Sequence, residues 1–273
     1  MAYKRILTIQ DISCVGQCSM TVALPVLSAC GHETCILPTA LLSTHTGGFG
    51  RPKVVHFDDM LENLWRHWQD NNITFDAILV GYLGSLGAVE TAGRILAEML
   101  APGGVAIVDP AMADHGRLYS GFDGAYVEAM KRLCRKADIL IPNITEAAML
   151  SGMEYQEQLT QDYVDGLLES LGHGCVVLTG VGYEAGVTGA VIREGEGQNT
   201  YFHPRLGKSY HGTGDLFAAA FTGALMQEKS LYDAVKIGAD FVCACIRNTQ
   251  AAPAHWYGVK FETAIAELIR MLG

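Results

Sequence analysis

ILIPNITEAAMLSG, residues 139–152, changes character in its middle. An apolar run, 138–143, stops at Pro142-Asn143 and passes straight into helix-forming sequence over 144–152, with Asn143 and Glu146 spaced as a capping-box pair. A strand that hands over to a helix across so short a turn is half of a βαβ unit. Five further runs have the same strand character: 3–10, 33–39, 76–83, 105–110 and 175–181. Continuous apolar runs of this kind suit strands covered on both faces of a parallel sheet. Helical patterns fill the intervals at 58–71, 86–100, 122–136 and 160–171. The alternation predicts a doubly wound α/β sheet, in which ligands gather beyond the carboxyl ends of the strands.

After residue 186 the pattern changes. GVTGAVIRE and NTYFHPRL alternate around GEGQ and read as a β-hairpin, and helices follow at about 213–227, 230–247 and 260–272. No repeat, low-complexity tract or Pro/Ser-rich linker interrupts the 273 residues, so a single domain over 1–273 is expected, with the Gly-rich stretch at about 44–55 as a flap or connection.

Composition narrows the chemistry. Net charge is -10, from 29 acidic residues against 19 Lys plus Arg, without a basic run for nucleic acid or lipid headgroups. A phosphate-bearing ligand must therefore be held by local devices. The N-terminus lacks signal-peptide character, and no apolar stretch approaches the roughly 20 residues that cross a bilayer, so a soluble, cytoplasmic protein is expected. The eight cysteines show no Cys-x-x-Cys spacing and read as reduced thiols, and the nine histidines form no metal motif.

Two motifs are decoys. Gly207-Lys208-Ser209 imitates the end of a P-loop, but Phe202 stands where the motif requires glycine. Gly180, Gly182 and Ala185 fit a dinucleotide fingerprint, the basis for an oxidoreductase alternative, yet strand-like sequence follows where a helix is needed.

HGTGDLFAAAF, 211–221, carries the remaining signal. Glycines before a small-residue helix leave first-turn amides free to meet an anion. Asp215 in that turn has an ordinary explanation as a helix cap. Asp109 and Asp114 of VDPAMAD, with Asn143 and Glu146, are expected on the same rim, and each also has an ordinary role in a turn or cap. Together they place carboxylates beside an anion site, a conflict that Mg2+ between acids and phosphates resolves. Phosphoryl transfer then needs a proton acceptor and amides for the moving group, and Asp215 with the amides of 212–215 can supply them.

These pieces occur in a familiar order: IQ at 9–10, STHTG at 43–47, VGYLGS at 80–85, VDPAMAD at 108–114, ILIPNITEAAMLSG, VVLTG at 176–180 and GTGDLFAAAF. Nearly end to end, the chain resembles the vitamin B6 (pyridoxal, pyridoxine and pyridoxamine) kinases of the ribokinase-like superfamily. The resemblance implies a three-layer α/β/α fold with a mostly parallel central sheet and a small flap. It implies ATP-dependent phosphorylation of a 5'-hydroxymethyl group, with Asp215 as general base and Gly212, Thr213 and Gly214 as the anion hole. Asn143, Glu146 and Thr179 would contact the nucleotide; Asp109, Asp114 and Glu146 would manage Mg2+, often through water. K+ is common in the family, as is a homodimer. Asp11, Ser13, His45, Thr46 and Tyr82 would line the acceptor pocket.

The chain departs from the family in two places. Asp11 stands where serine usually follows IQ, and a carboxylate suits a protonated ring nitrogen or an amine, which favours pyridoxamine or pyridoxine, or a related heteroaromatic alcohol. The flap reads GGFGRPK, without the aromatic residues usual there. Hydroxymethylpyrimidine kinase activity and a non-catalytic nucleotide- or vitamer-binding protein are the alternatives.

Overall fold

The computed structural model describes every residue except Met1, Lys208, Ser209 and Pro253, so the Lys and Ser of the P-loop-like decoy lie outside the described residues. The expected sheet is present. Its strands are β1 (Arg5–Ser13), β2 (Glu33–Leu42), β3 (Val54–His56), β4 (Phe75–Val80), β5 (Leu100–Val108), β8 (Ile139–Leu140), β9 (Cys175–Val181), β10 (Val187–Glu194) and β11 (Gly197–Pro204), while β6 (Ala113–Asp114) and β7 (Arg117–Leu118) form a separate two-stranded ribbon. The large sheet runs β11-β10-β9-β8-β5-β4-β1-β2-β3. Pairing is parallel from β2 through β9 and antiparallel at both margins, where β3 joins β2 and the β10–β11 hairpin joins β9.

The helices are α1 (Met20–Ala29), α2 (Asp58–Asp70), α3 (Leu86–Glu98), α4 (Gly124–Cys134), α5 (Ile144–Ser151), α6 (Gln161–Leu171), α7 (Thr213–Met226), α8 (Leu231–Gln250) and α9 (Ile265–Leu272). One apolar core lies between the sheet and α2–α6 and includes Leu7, Ile78, Val108, Trp65 and Leu167. The other lies beneath α1, α7, α8 and α9 and includes Ile6, Leu79, Ile107, Phe221 and Phe241. Alternate residues of one strand feed opposite cores, as the two-residue period requires. This is the three-layer α/β/α architecture that the sequence predicts.

The differences have physical causes. α1 lacks a 3.6-residue polar alternation because it is buried on most sides, and Pro25 in its interior removes a helical donor, so it escapes pattern reading. β3 is a short edge strand that takes Val54 and Val55 out of the expected flap and pairs His56 with Ala40. β1 continues to Ser13, with a register shift between Gln10 and Ile12, so Asp11 and Ser13 belong to the strand. The decoy at 180–185 leads into β10, an antiparallel strand, and so has no helix N-terminus on which to seat a pyrophosphate.

Candidate active site

Hydrogen bonds continue past the ends of the parallel strands and tie the rim together. The amide of Asp11 donates to Tyr82 O (3.1 Å), Asp109 to Val80 O (2.9 Å), and Thr179 to Pro142 O (2.9 Å). Residues expected at the site therefore sit side by side along one carboxyl edge of the sheet, and α7 begins above them. Ser85, Asp123, Asn143, Thr160 and Ser230 each accept a first-turn amide of their helix. α7, like α1, α2 and α9, has no side-chain cap, and its cap position is Gly212, with φ 79°.

That conformation is open to glycine for two reasons. A positive φ penalises any Cβ, and a Cβ here would collide with the carbonyl oxygen of Gln17 and come within 3.2 Å of Cys18 Sγ. Loop 14–19 thus packs directly against the turn that opens α7. Thr213 turns its hydroxyl to Tyr210 O (3.1 Å).

Asp215 occupies the third helical position and makes no capping bond, which removes its ordinary explanation. Burial pushes its carboxyl up to about 7; the Ser19 amide favours the charged form, and the nearby Asp11 charge opposes it. An acid with that pKa accepts a proton readily at neutral pH.

For Asn143 and Glu146 the ordinary explanation holds. Asn143 Oδ1 accepts from the Glu146 amide (2.9 Å) and Glu146 Oε2 from the Asn143 amide (2.9 Å), a complete capping box. Asn143 Nδ2 donates to Ala113 O (2.8 Å), so its side chain is fully engaged within the fold. Glu146 Oε1 also accepts from the Met112 amide (3.1 Å), yet burial raises this carboxyl to about 7. Asp109, held by the Ala111 amide (3.2 Å), is driven well above the carboxylate range by burial and by the charges of Glu146 and Asp215.

Asp114 separates from this set. The β6–β7 ribbon leaves it exposed, accepting from the His115 amide (2.8 Å) with His115 Nε2 3.5 Å away. Among the described residues no three acidic, histidine or cysteine side chains form a ready metal cage. The expected Asp109, Asp114 and Glu146 set is therefore not assembled as one coordination sphere by protein atoms.

Asp11, Ser13 and Tyr82, the residues expected on the acceptor side, lie together at the ends of β1 and β4. Asp11 is 2% exposed. Ser13 Oγ donates to its Oδ2 (3.0 Å), and burial raises its carboxyl. Tyr82 stacks on Phe122 at 5.5 Å, and burial together with the Asp11 charge pushes its phenol up to about 12. The ring packs on Phe122, and the phenol lies close enough to Asp11 to feel its charge.

His45 has both ring nitrogens in use: Nδ1 accepts from the Gly47 amide (3.0 Å), and Nε2 faces Tyr257 O (2.7 Å), so Nε2 carries the proton. The ring anchors the flap base, while Thr46 is exposed on the flap. The flap is not without an aromatic contact, contrary to the sequence reading: Phe49 packs on Trp256 (4.7 Å) and Tyr257 (5.8 Å). Gly48 fits there because a Cβ would meet the Trp256 ring at 2.5 Å. Sequence reading missed this partner segment and also Tyr119, whose phenol burial and the charges of Glu146, Asp114, Asp109 and Asp215 push upward. An aromatic triplet, His255-Trp256-Tyr257, was the available signal for the former.

The profile of the phosphomethylpyrimidine kinase family matches residues 23–259. The pyridoxine/pyridoxal/pyridoxamine kinase of Bordetella avium is 28% identical over 256 residues, covering 90% of this chain and 86% of its own. The crystal structure of pyridoxal kinase from Lactobacillus plantarum superimposes with a TM-score of 0.90 at 32% identity, covering 98% of this chain and 97% of its own. A Bacteroides thetaiotaomicron protein assigned to the phosphomethylpyrimidine kinases, in a crystal form with pyridoxal, gives a TM-score of 0.89 at 31% identity, covering 97% of this chain and 95% of that one.

Proposed function

This chain belongs to the phosphomethylpyrimidine kinase family, phosphotransferases with an alcohol group as acceptor, and on that premise we propose that it phosphorylates the 5'-hydroxymethyl group of a vitamin B6 form with ATP. The observation that carries this reading is Asp215, half-buried, desolvated and without a capping partner at the mouth of a helix that has no side-chain cap. Asp215 accepts the hydroxyl proton as the alcohol attacks. The free amides of Gly212, Thr213 and Gly214 receive the transferring phosphoryl group, where fixed dipoles cost no reorganisation. Asp11, with Ser13 and Tyr82, holds the ring of the acceptor, and Thr179 contributes to the nucleotide side.

Asp109 and Glu146 fit a hydrated Mg2+. The ion commonly retains waters and takes one or two carboxylates plus phosphate oxygens, so a complete protein cage is unnecessary. Two desolvated acids that repel each other gain from a cation beside them, which would also neutralise phosphate charge. Asp114, turned outward, is assigned at most a water-mediated part. The exposed apolar residues Val54 and Val55 on edge strand β3, with Met60 on α2, support the expected homodimer. No helix among the described residues is long and apolar enough to cross a membrane.

Incubation with ATP, Mg2+ and each of pyridoxal, pyridoxine, pyridoxamine and hydroxymethylpyrimidine, followed by product mass, tests the reading; K+ dependence is read in the same assay. A mass gain of one phosphoryl group on a B6 vitamer is expected. Product from hydroxymethylpyrimidine alone would move the proposal to the other alcohol, and binding without product from any of them would favour a non-catalytic role.

A pH dependence follows from the raised acid. The base must be ionised, so activity is present above its pKa and lost as pH falls through it. kcat/KM is expected to decline below about pH 7, approaching a tenfold loss per pH unit. A flat profile from pH 5 to 8 would exclude Asp215 as the group in control.

A further inference from the structure

Ser19 adopts φ 51°, ψ -128°, a region that residues with a Cβ rarely enter. It stands at the N-cap of α1, where serine ordinarily bonds a first-turn amide, yet its side chain makes no such bond. It is 5% exposed and pairs as an isolated antiparallel bridge with Ile12, which places it alongside the strand segment that carries Asp11 and Ser13. The two residues before it, Gln17 and Cys18, touch Gly212 at the start of α7. The strained residue therefore lies where the acceptor pocket and the anion hole meet. Its amide lies within reach of the Asp215 carboxylate, and its hydroxyl within reach of Asp11, to which Ser13 Oγ also donates (3.0 Å).

We propose that Ser19 is a positioning residue that couples the two aspartates, its amide orienting Asp215 and its hydroxyl holding Asp11 toward the acceptor. The inference rests on the reading that Asp11 lines the acceptor pocket and Asp215 is the base. Backbone strain of this kind persists where the surrounding structure enforces it, and here the enforcing contacts are the Ile12 bridge and the packing of Gln17 on the Gly212 turn. The groups facing Asp11 are Ser13 on its own strand, Cys18 and Ser19 on the following loop, Tyr82 beyond β4, and Asp215 on α7. Apart from Ser13 and Ser19 none of these favours the Asp11 charge, so the Ser19 hydroxyl has few substitutes.

Two variants separate positioning from a structural role. Ser19→Gly keeps the amide, relieves the strain and removes the hydroxyl; Ser19→Ala removes the hydroxyl and keeps the strain. Both are expected to raise the acceptor KM roughly tenfold, with kcat changing far less and the KM for ATP unmoved. Ser19→Gly should also melt at or above the wild-type temperature. Added to Asp11→Asn, Ser19→Gly should raise KM no further, since the hydroxyl acts through the carboxylate. An unchanged acceptor KM in Ser19→Gly, or full additivity with Asp11→Asn, would overturn the inference. A substrate-independent readout accompanies these: the carboxyl 13C titration of Asp11 in the free protein should shift to higher pH in both variants. If the wild type phosphorylates none of the tested alcohols, the proposed function fails while the Asp11 titration still decides the role of Ser19; an unshifted midpoint counts against it.

Discussion

Replacing Asp215 with Asn is expected to lower kcat by about 10³-fold, within the range that positioned general bases supply. The substitution preserves shape and one acceptor oxygen but cannot take a proton. Nucleotide affinity should change little, because the amides of the α7 turn are untouched. Stability supplies an independent check, and its sign follows from the raised pKa. The folded-state value is about 7 against an ordinary 3.8, so folding takes up a proton between those values, and stability declines as pH rises through that window. Above about pH 7 the wild type bears the whole penalty of a buried charge, and Asn bears none of it. The variant should therefore melt higher than wild type at pH 8, and the two melting curves should converge as pH falls toward 4. Calorimetry across pH, beside steady-state kinetics, measures both effects. Turnover within tenfold of wild type would remove Asp215 as base; a lower melting temperature at pH 8 would mean that the carboxylate has a structural partner.

That combination of a silent or stabilising change with lost activity is the mark of a site at odds with its own fold. Glu146 is buried and Asp109 and Asp215 are half-buried, and desolvation displaces the pKa values of all three upward. No local rule of folding calls for such a cluster. Its members were nevertheless visible in the sequence, because each follows a strand or opens a helix whose position was itself visible: Asp109 after VAIV, Asn143 and Glu146 after ILIP, Asp215 after GTG. Parallel strands packed on both faces announce themselves by unbroken apolar runs, and their carboxyl ends define the rim. What escaped depends on long-range placement. Ser19 has an unremarkable side chain, and only its backbone angle and its two neighbours reveal it. Tyr119 reaches the acids through the β6–β7 ribbon, whose two-residue strands carry no pattern, and the same ribbon turns Asp114 outward. Trp256 and Tyr257 meet the flap from more than 200 positions away, with no register or period to foretell it.

The anion hole offers the second large effect. Gly212→Ala is expected to reduce kcat by about 10²-fold and to lower the melting temperature together with it. The φ of 79° costs a residue with a Cβ about 1 kcal/mol or more, and the methyl would also strike the Gln17 carbonyl, which is backbone and cannot rotate aside. Either the turn or loop 14–19 must move. The first movement disorders the amides that receive the phosphoryl group, and the second displaces Ser19 from Asp11 and Asp215. Gly214 provides the control. It has no positive φ, and a Cβ there meets nothing within 4 Å, so Gly214→Ala should fold as well as wild type or better, since alanine favours a helix. The methyl at 214 would enter open space at the first turn of α7. If phosphate occupies it, Gly214→Ala should weaken ATP or slow turnover without loss of stability, whereas Gly212→Ala loses both. Wild-type kinetics in both variants would mean that the turn holds no phosphate and that its glycines serve packing alone.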